Sequence, residues 1–410
     1  MGATTSGTTL KRAFWALAAA GAVVLAVALG AAHYMEEHGH VVTGMNNQVV
    51  WGLPHVFAIF LIVAASGALN VASIGSVFGE ADYKPLAPLS VLLTVALLAG
   101  GLLVLVLDLG RPERLMIAAT HYNFRSIFAW NMILYNGLFV ICALYLWSLL
   151  ERRFGAFAKP VGVAAFAWRV ILTTGTGSIF GFLVSRQAYA SGVIAPLFIA
   201  LSLAWGLALF HLAQAGLARL DGQEMDAAML ARMRRLLGIF VIAVLYFVAV
   251  HHVTNLYWAK QAAFERFILV AGAPYPLLFW AGFVGLGSAA PLVLLFHPRF
   301  SSPRATAIAA ALVALGAFAF LYVFIIGGQV FPLEIFPGYE ARSAFHDGRV
   351  GAYAPSLAEF LLGAGGLAAS FLIALVGVRV LSIRPPRDIG APFAASVAAP
   401  VAAPVAAPAK

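Results

Sequence analysis

Residues 87–115 read APLSVLLTVALLAGGLLVLVLDLGRPERL. Positions 87–107 carry no charge, and as helix they are long enough to cross a hydrocarbon core about 30 Å thick. Directly afterwards come Asp108, Arg111, Glu113 and Arg114. Ionised groups at the end of a membrane span are costly and tend to be functional, so this stretch decides the fold and raises the question of function together.

The same alternation of apolar run and charged punctuation repeats along the chain. Of its 410 residues, 62% are hydrophobic and only 10% charged, with a mean hydropathy of +0.94. These values lie far outside the soluble globular range and predict an all-α integral membrane protein. Spans are expected at 13–34, 50–78, 87–109, 126–150, 163–185, 193–216, 236–258, 272–297, 305–327 and 355–381, about ten transmembrane helices. Alternating ten-residue strands are absent, which excludes a β-barrel.

The net charge of +9 does not indicate nucleic acid, because the arginines are scattered through loops with no basic stripe interleaved with aromatics. The single cysteine, Cys142, lies in an apolar run, leaving neither a disulfide framework nor a cysteine-ligated cluster. Glycine-rich phosphate loops, zinc spacings and nucleophile motifs are also missing.

With the N-terminus inside, the inner segments collect Arg12, Lys84, Arg152, Arg153, Lys159, Arg232, Arg234 and Arg235, and the outer ones far fewer basic residues. The positive-inside rule therefore puts both termini in the cytoplasm. The chain divides into a first helix at 1–34, a polytopic body at 35–388 and an Ala/Pro-rich tail at 389–410 expected to be disordered. The end of the first run, ALGAAHY, also fits a cleavable signal peptide.

On this topology the polar residues gather near the outer face: His55, Asp108, Ser126, Asn131, Tyr135, Arg186, Gln187, His251, His252, Asn255 and Glu359, with Gln329 and Glu334 in the loop before the last helix. The inner half holds mainly Asn70, Arg169, His211 and Gln214, of which Arg169 and His211 are expected to snorkel toward headgroups. Gly110 and Pro112 read as helix-stop residues, which leaves Asp108 facing the negative end of the helix dipole and in need of a partner. Arg111 is the nearest candidate. Glu359, following Ser356, reads equally as a first-turn acid of the last helix or as a site residue.

WGLPHVF, LDLGRPERL, NFRSIFAWNMILYNG, GSIFGFLVSR, IIGGQVFPL and YAPSLAEF, in this order, resemble the NrfD and polysulphide reductase membrane-subunit (PsrC-like) family. The ten-helix branch with HybB- and DsrP-type subunits is the most similar. The resemblance implies two four-helix bundles plus flanking helices, free of haem and iron–sulfur clusters. It also implies exchange of electrons and protons between membrane quinone, menaquinone or ubiquinone, and an extracytoplasmic ferredoxin-like iron–sulfur subunit.

On that basis Asp108 and Arg111 are the expected catalytic pair, a proton acceptor and the cation that orients it. His55, Ser126, Asn131, Tyr135, His251 and Glu359 are the expected quinone contacts. His55 stands where the family usually carries tryptophan or another apolar residue. Two other readings stay open: a haem b subunit using His55 with His251 or His252, and a passive anchor without quinone chemistry.

Overall fold

The computed structural model describes residues 2–222, 225–333 and 348–383. Glu334 and the tail at 389–410 lie outside the described residues. Among the described residues ten helices are long and apolar enough to cross a membrane. They are α1 (Arg12–His38), α2 (Leu53–Ser76), α3 (Ala81–Leu107), α4 (Ile127–Leu150), α5 (Arg152–Gly181), α6 (Ile194–Leu220), α7 (Ala227–Tyr257), α8 (Tyr275–Phe296), α9 (Pro303–Val330) and α10 (Leu357–Val380). No strand occurs among the described residues. The protein is a multi-pass, all-α membrane protein.

Local chemistry starts these helices where the chain needs them to start. Gly52 leads into α2 in extended conformation and Pro54 occupies its first turn, where a missing N–H costs nothing. Asp226 caps α7 through Met229 N, and Ser302 caps α9 through Ala305 N. Ser356 and Glu359 form a complete capping box on α10.

Packing sorts the helices into α2–α5 and α6–α9, two four-helix bundles joined along α2, α5 and α6. Helix α1 pairs with α10, and α10 lies against α2 and α3. Where α2 crosses α6, a side-chain carbon on Gly67 would collide with the Ser202 carbonyl, and one on Gly206 with the Gly67 backbone. Two glycines thus let the bundles approach to backbone contact, the usual basis of helix association where lipid removes the hydrophobic drive.

The long helix α9 becomes π-helical over Tyr322–Gly327. Such a segment disturbs the regular carbonyl ladder, and here the buried Tyr189 hydroxyl donates to the carbonyls of Phe324 (3.1 Å) and Ile325 (3.0 Å).

The inner-half polar residues differ from expectation. Arg169 is only 3% exposed and His211 1% exposed, so neither snorkels. Arg169 donates to Asn70 Oδ1 at 2.8 Å and lies over the Phe166 ring. Both residues point into the interface between packed helices, so the route to headgroups that a sequence position suggests is closed by their neighbours.

Candidate functional site

One end of the molecule gathers the segments before α2, after α3, between α5 and α6, and before α10. Gln48 and Gln329 tie them together: Gln48 donates to the Val330 and Arg349 carbonyls, and Gln329 Oε1 accepts from Val50 and Trp51 N at 3.0 Å. Arg186 donates to the carbonyls of Gln329 and Gln48 at 3.0 and 2.9 Å. Burial pulls its guanidinium below the usual arginine value. These bonds fix the residues leading into α2, and with them His55 in its first turn.

Asp108 is the last residue held by the α3 ladder, its N–H donating to Val104 O at 2.9 Å. The carboxylate is 1% exposed. His55 Nδ1 lies 2.9 Å from Oδ2 and His40 Nε2 3.9 Å from Oδ1. The His55 contact is close, but its angles fall outside a regular hydrogen bond, and neither carboxylate oxygen has another protein donor. The expected partner is therefore corrected: Arg111 is exposed and makes no ion pair with Asp108, because the chain turns outward after α3 while α2 presents a histidine. Gly110 is not left-handed among the described residues; its open face receives the His40 ring.

The His55 side chain is 23% exposed, unlike the acid behind it. Trp51 stands beside it, with ring centroids 6.2 Å apart, and also contacts Phe128 of α4 and Phe180 of α5. Trp51 thus flanks the partly open imidazole of a pair in which only the carboxylate is buried, and Phe128 and Phe180 extend the aromatic surface behind Trp51.

The other expected site residues fall into separate groups. Ser126 immediately precedes α4. Asn131, 2% exposed, donates to the Ile127 and Gly175 carbonyls at 2.9 and 3.1 Å, which crosslinks α4 to α5. Tyr135 is buried one turn further along α4. Glu359 is fully accounted for by structural bonds: Oε2 accepts from Gly44 N (2.9 Å) and Ser356 N (2.7 Å), and Oε1 from the Tyr353 hydroxyl (2.7 Å). These bonds are the ones expected of the helix-start acid, one of the two roles the sequence allows Glu359. Burial and this carboxylate raise the Tyr353 phenol well above the usual value, so it remains a donor.

His251 belongs to a third cluster, in the second bundle. His252 Nδ1 lies 2.6 Å from Glu265 Oε2, and Asn255 Nδ2 donates to Glu265 Oε1 at 2.8 Å while lying 3.2 Å from His251 Nε2. This cluster borders a narrow cavity walled by Phe264, Phe279, Phe320 and Phe324, which is distinct from the surroundings of Asp108. Both histidines turn inward, because Glu265 in the short helix Ala259–Arg266 folds back over α7. Among the described residues no group of three or more His, Cys, Asp or Glu could hold a metal ion.

Two participants escape sequence reasoning. His40, in the polar run EEHGHVV, looks like loop. Glu265, between Lys260 and Arg266, looks like surface, although its placement between Phe264 and Phe267 hints that this turn is buried.

Residues 41–333 match the family described as polysulphide reductase, NrfD. The chain is 30% identical over 366 residues to an Hdr-like menaquinol oxidoreductase integral membrane subunit of Archaeoglobus fulgidus, covering 88% of this chain and 92% of that one. It is 30% identical over 411 residues to a putative dimethyl sulfoxide reductase membrane subunit of Halobacterium salinarum, covering 91% and 92%. With a polysulfide reductase chain of Wolinella succinogenes it shares 24% over 333 residues, 70% of this chain and 96% of that one.

Proposed function

The chain belongs to the NrfD polysulphide reductase family, and from that premise we propose that it is the quinone-reacting membrane subunit of a respiratory or sulfur-metabolism complex, with His55 and Asp108 as its proton-exchanging pair. The observation that carries this reading is a carboxylate 1% exposed, backed onto a histidine whose ring is partly open. Buried carboxylates lacking regular donors are expensive unless a neighbour or ligand completes them. An amphipathic carbonyl or hydroxyl headgroup suits this place: aromatic faces for its ring, and a polar edge for its oxygen.

Quinol oxidation supplies two electrons and two protons. With Nδ1 facing Asp108, Nε2 is the His55 nitrogen left to meet a ligand hydroxyl and take its proton. Asp108 holds the ring in the matching tautomer and stabilises the imidazolium that results, as an orienting carboxylate does in a catalytic dyad. In the opposite direction His55 returns the proton. Asn131 contributes by locking α4 to α5 beneath Trp51 and Phe128, and Arg111 by meeting headgroups or a partner.

The opposite end of the molecule carries Lys84, Arg152, Arg153, Arg232, Arg234 and Arg235, and Arg232 pairs there with Asp82. The positive-inside rule makes it cytoplasmic, with both termini on that side, and places the His55–Asp108 end outside. Beside the site the short helix Leu115–Thr120 exposes Met116 and Ile117. An apolar face at that position suits docking of the extracytoplasmic iron–sulfur subunit that receives the electrons. In this reading the chain carries electrons through neither haem nor cluster; His55 lies on Asp108 and His252 on Glu265, in two separate clusters.

The test is Asp108→Asn in the assembled complex. Asparagine keeps the shape but cannot stabilise a His55 cation, so quinol-dependent electron transfer is expected to fall about 100-fold or more while the complex stays assembled. Wild-type turnover would leave the chain a passive anchor.

A further inference from the structure

In the second bundle, hydrogen-bonding rules fix where the protons of the His251, His252, Asn255 and Glu265 cluster sit. The Asn255 amide nitrogen can only donate, and it reaches both Glu265 Oε1 (2.8 Å) and His251 Nε2 (3.2 Å). His251 Nε2 therefore accepts, and the hydrogen of the neutral ring is on Nδ1. That Nδ1 is buried and meets no acceptor among the described residues. His252 Nδ1, 2.6 Å from Glu265 Oε2, donates to the carboxylate and leaves Nε2 as the acceptor of its ring. The cluster thus presents one N–H and one ring lone pair that its own members do not use.

Both rings line the same cavity, with centroids 5.4 Å apart and planes inclined at 67°. Asn255 and Glu265 stand behind the rings and do not line it. Its volume is about 20 Å³, enough for one water molecule and far too small for a quinone headgroup. The facing wall is apolar, from Leu197 of α6, Phe279 of α8 and Phe320, Val323 and Phe324 of α9, so His251 and Glu265 are the titratable groups against His252. The three π-helical segments among the described residues, Phe267–Ala271, Leu278–Ala289 and Tyr322–Gly327, reach this wall through Ile268, Phe279 and Val323. Distortions of this kind are frequent at functional sites.

A clasp holding the short helix Ala259–Arg266 against α7 accounts for the contacts of Glu265 with His252 and Asn255. It does not account for a buried His251 N–H without an acceptor beside a cavity of one water's size. A wholly apolar cavity of that size stays dry, whereas a donor and an acceptor on its wall give a water the two partners it needs.

We propose that this cavity binds one water molecule, which accepts from His251 Nδ1 and donates to His252 Nε2, and that the ring of groups so closed is a proton-accepting site of the second bundle. It uses neither His55 nor Asp108 and stands whether or not that pair reacts with quinol. The circuit runs from Asn255 to His251, the water, His252, Glu265 and back to Asn255, with a donor facing an acceptor at each step. In this form it carries one negative charge, on a carboxylate whose side chain is 0% exposed. One proton from solvent adds to His252 Nε2 and brings the net charge to zero; no electron moves and no heavy-atom bond forms or breaks. The water then turns to accept from both rings. Enclosed charge is costly, and histidine titrates near physiological pH, so the ring gains a proton without rearranging its side chains.

The experiment is solid-state NMR of the full-length chain in lipid nanodiscs, with its histidines labelled with carbon-13 and nitrogen-15. His251 and His252 are the one pair of adjacent histidines in the sequence, so the correlation between neighbouring labels assigns both rings without a variant. Magnetisation starting on water is expected to reach His251 Nδ1 and His252 Nε2. As pH falls from about 9 to about 5, His252 Nε2 is expected to shift from the unprotonated to the protonated range, while His251 Nε2 stays unprotonated throughout. Glu265→Gln removes the charge that favours a cation and is expected to lose this uptake.

No transfer from water to either nitrogen in the wild type overturns the water site and the ring with it. A His252 that keeps one protonation state across that pH range overturns the proton-accepting role, and so does undiminished uptake in Glu265→Gln. The wild-type spectra decide the first two points even where the Glu265→Gln chain fails to fold.

Discussion

Replacing Glu359 separates a structural acid from a site residue. The carboxylate is completely buried and accepts three hydrogen bonds, from Gly44 N, Ser356 N and the Tyr353 hydroxyl. Bonds to a charged acceptor contribute about 1.5–3 kcal/mol each, and they are not additive within one network. Glu359→Ala strands all three donors, so a loss of about 3–5 kcal/mol is expected, comparable to breaking a buried ion pair. Glu359→Gln is milder. Its amide oxygen can keep the two backbone donors, but its NH2 then confronts the Tyr353 hydroxyl, which already accepts from Leu53 N at 2.6 Å. One bond is lost and the charge assistance of the other two disappears, or about 1–3 kcal/mol.

Thermal unfolding of the detergent-solubilised protein, with proteolysis across residues 43–53, reads the effect directly, because Gly44 anchors that segment to α10. The turnover of the folded fraction with menadiol should stay within about twofold of wild type, since the network reaches the first turn of α2 only through Leu53 N and no side chain in it bonds His55 or Asp108. A Glu359→Gln variant of wild-type stability but strongly reduced turnover would refute the reasoning and return Glu359 to the quinone site.

Other consequences follow from the same structure. Asn70→Leu removes the acceptor of the buried Arg169 guanidinium and should cost about 3 kcal/mol, whereas Asn70→Leu with Arg169→Met should recover most of it. Equal stability of the single and double variants in thermal unfolding would disprove that coupling. Stability should also fall in alkali. Tyr353 and Tyr189 are buried phenols held above the ordinary value of about 10, so the folded state favours their neutral form. Their contribution is complete below about pH 10 and is lost as pH rises from there through the folded-state values. Melting curves from pH 7 to pH 12 should show this, with a shallower alkaline slope in Tyr353→Phe; identical slopes would count against it.

Hydropathy alone determines a great deal of this protein. Runs of twenty or more apolar residues can satisfy their backbone in lipid only as helices, so the ten spans, their alternating direction and the crowding of polar residues at one end follow from linear order. The acid in LDLGRP announces itself for the same reason: a charge at that depth needs a partner. Which partner depends on contacts between helices that sequence spacing does not encode. Arg111 is three residues from Asp108 along the chain, yet His55, fifty-three residues away, supplies the contact because α2 packs on α3 while the chain after Leu107 turns outward.

Tertiary structure likewise decides that Arg169 and His211 are interior, that Glu359 belongs to a capping box, and that His251 lies against Asn255, beside the His252–Glu265 pair, rather than near Asp108. In an interior where every polar group must find a partner, the nearest residue in space determines its role, and only the packed helices say which residue that is.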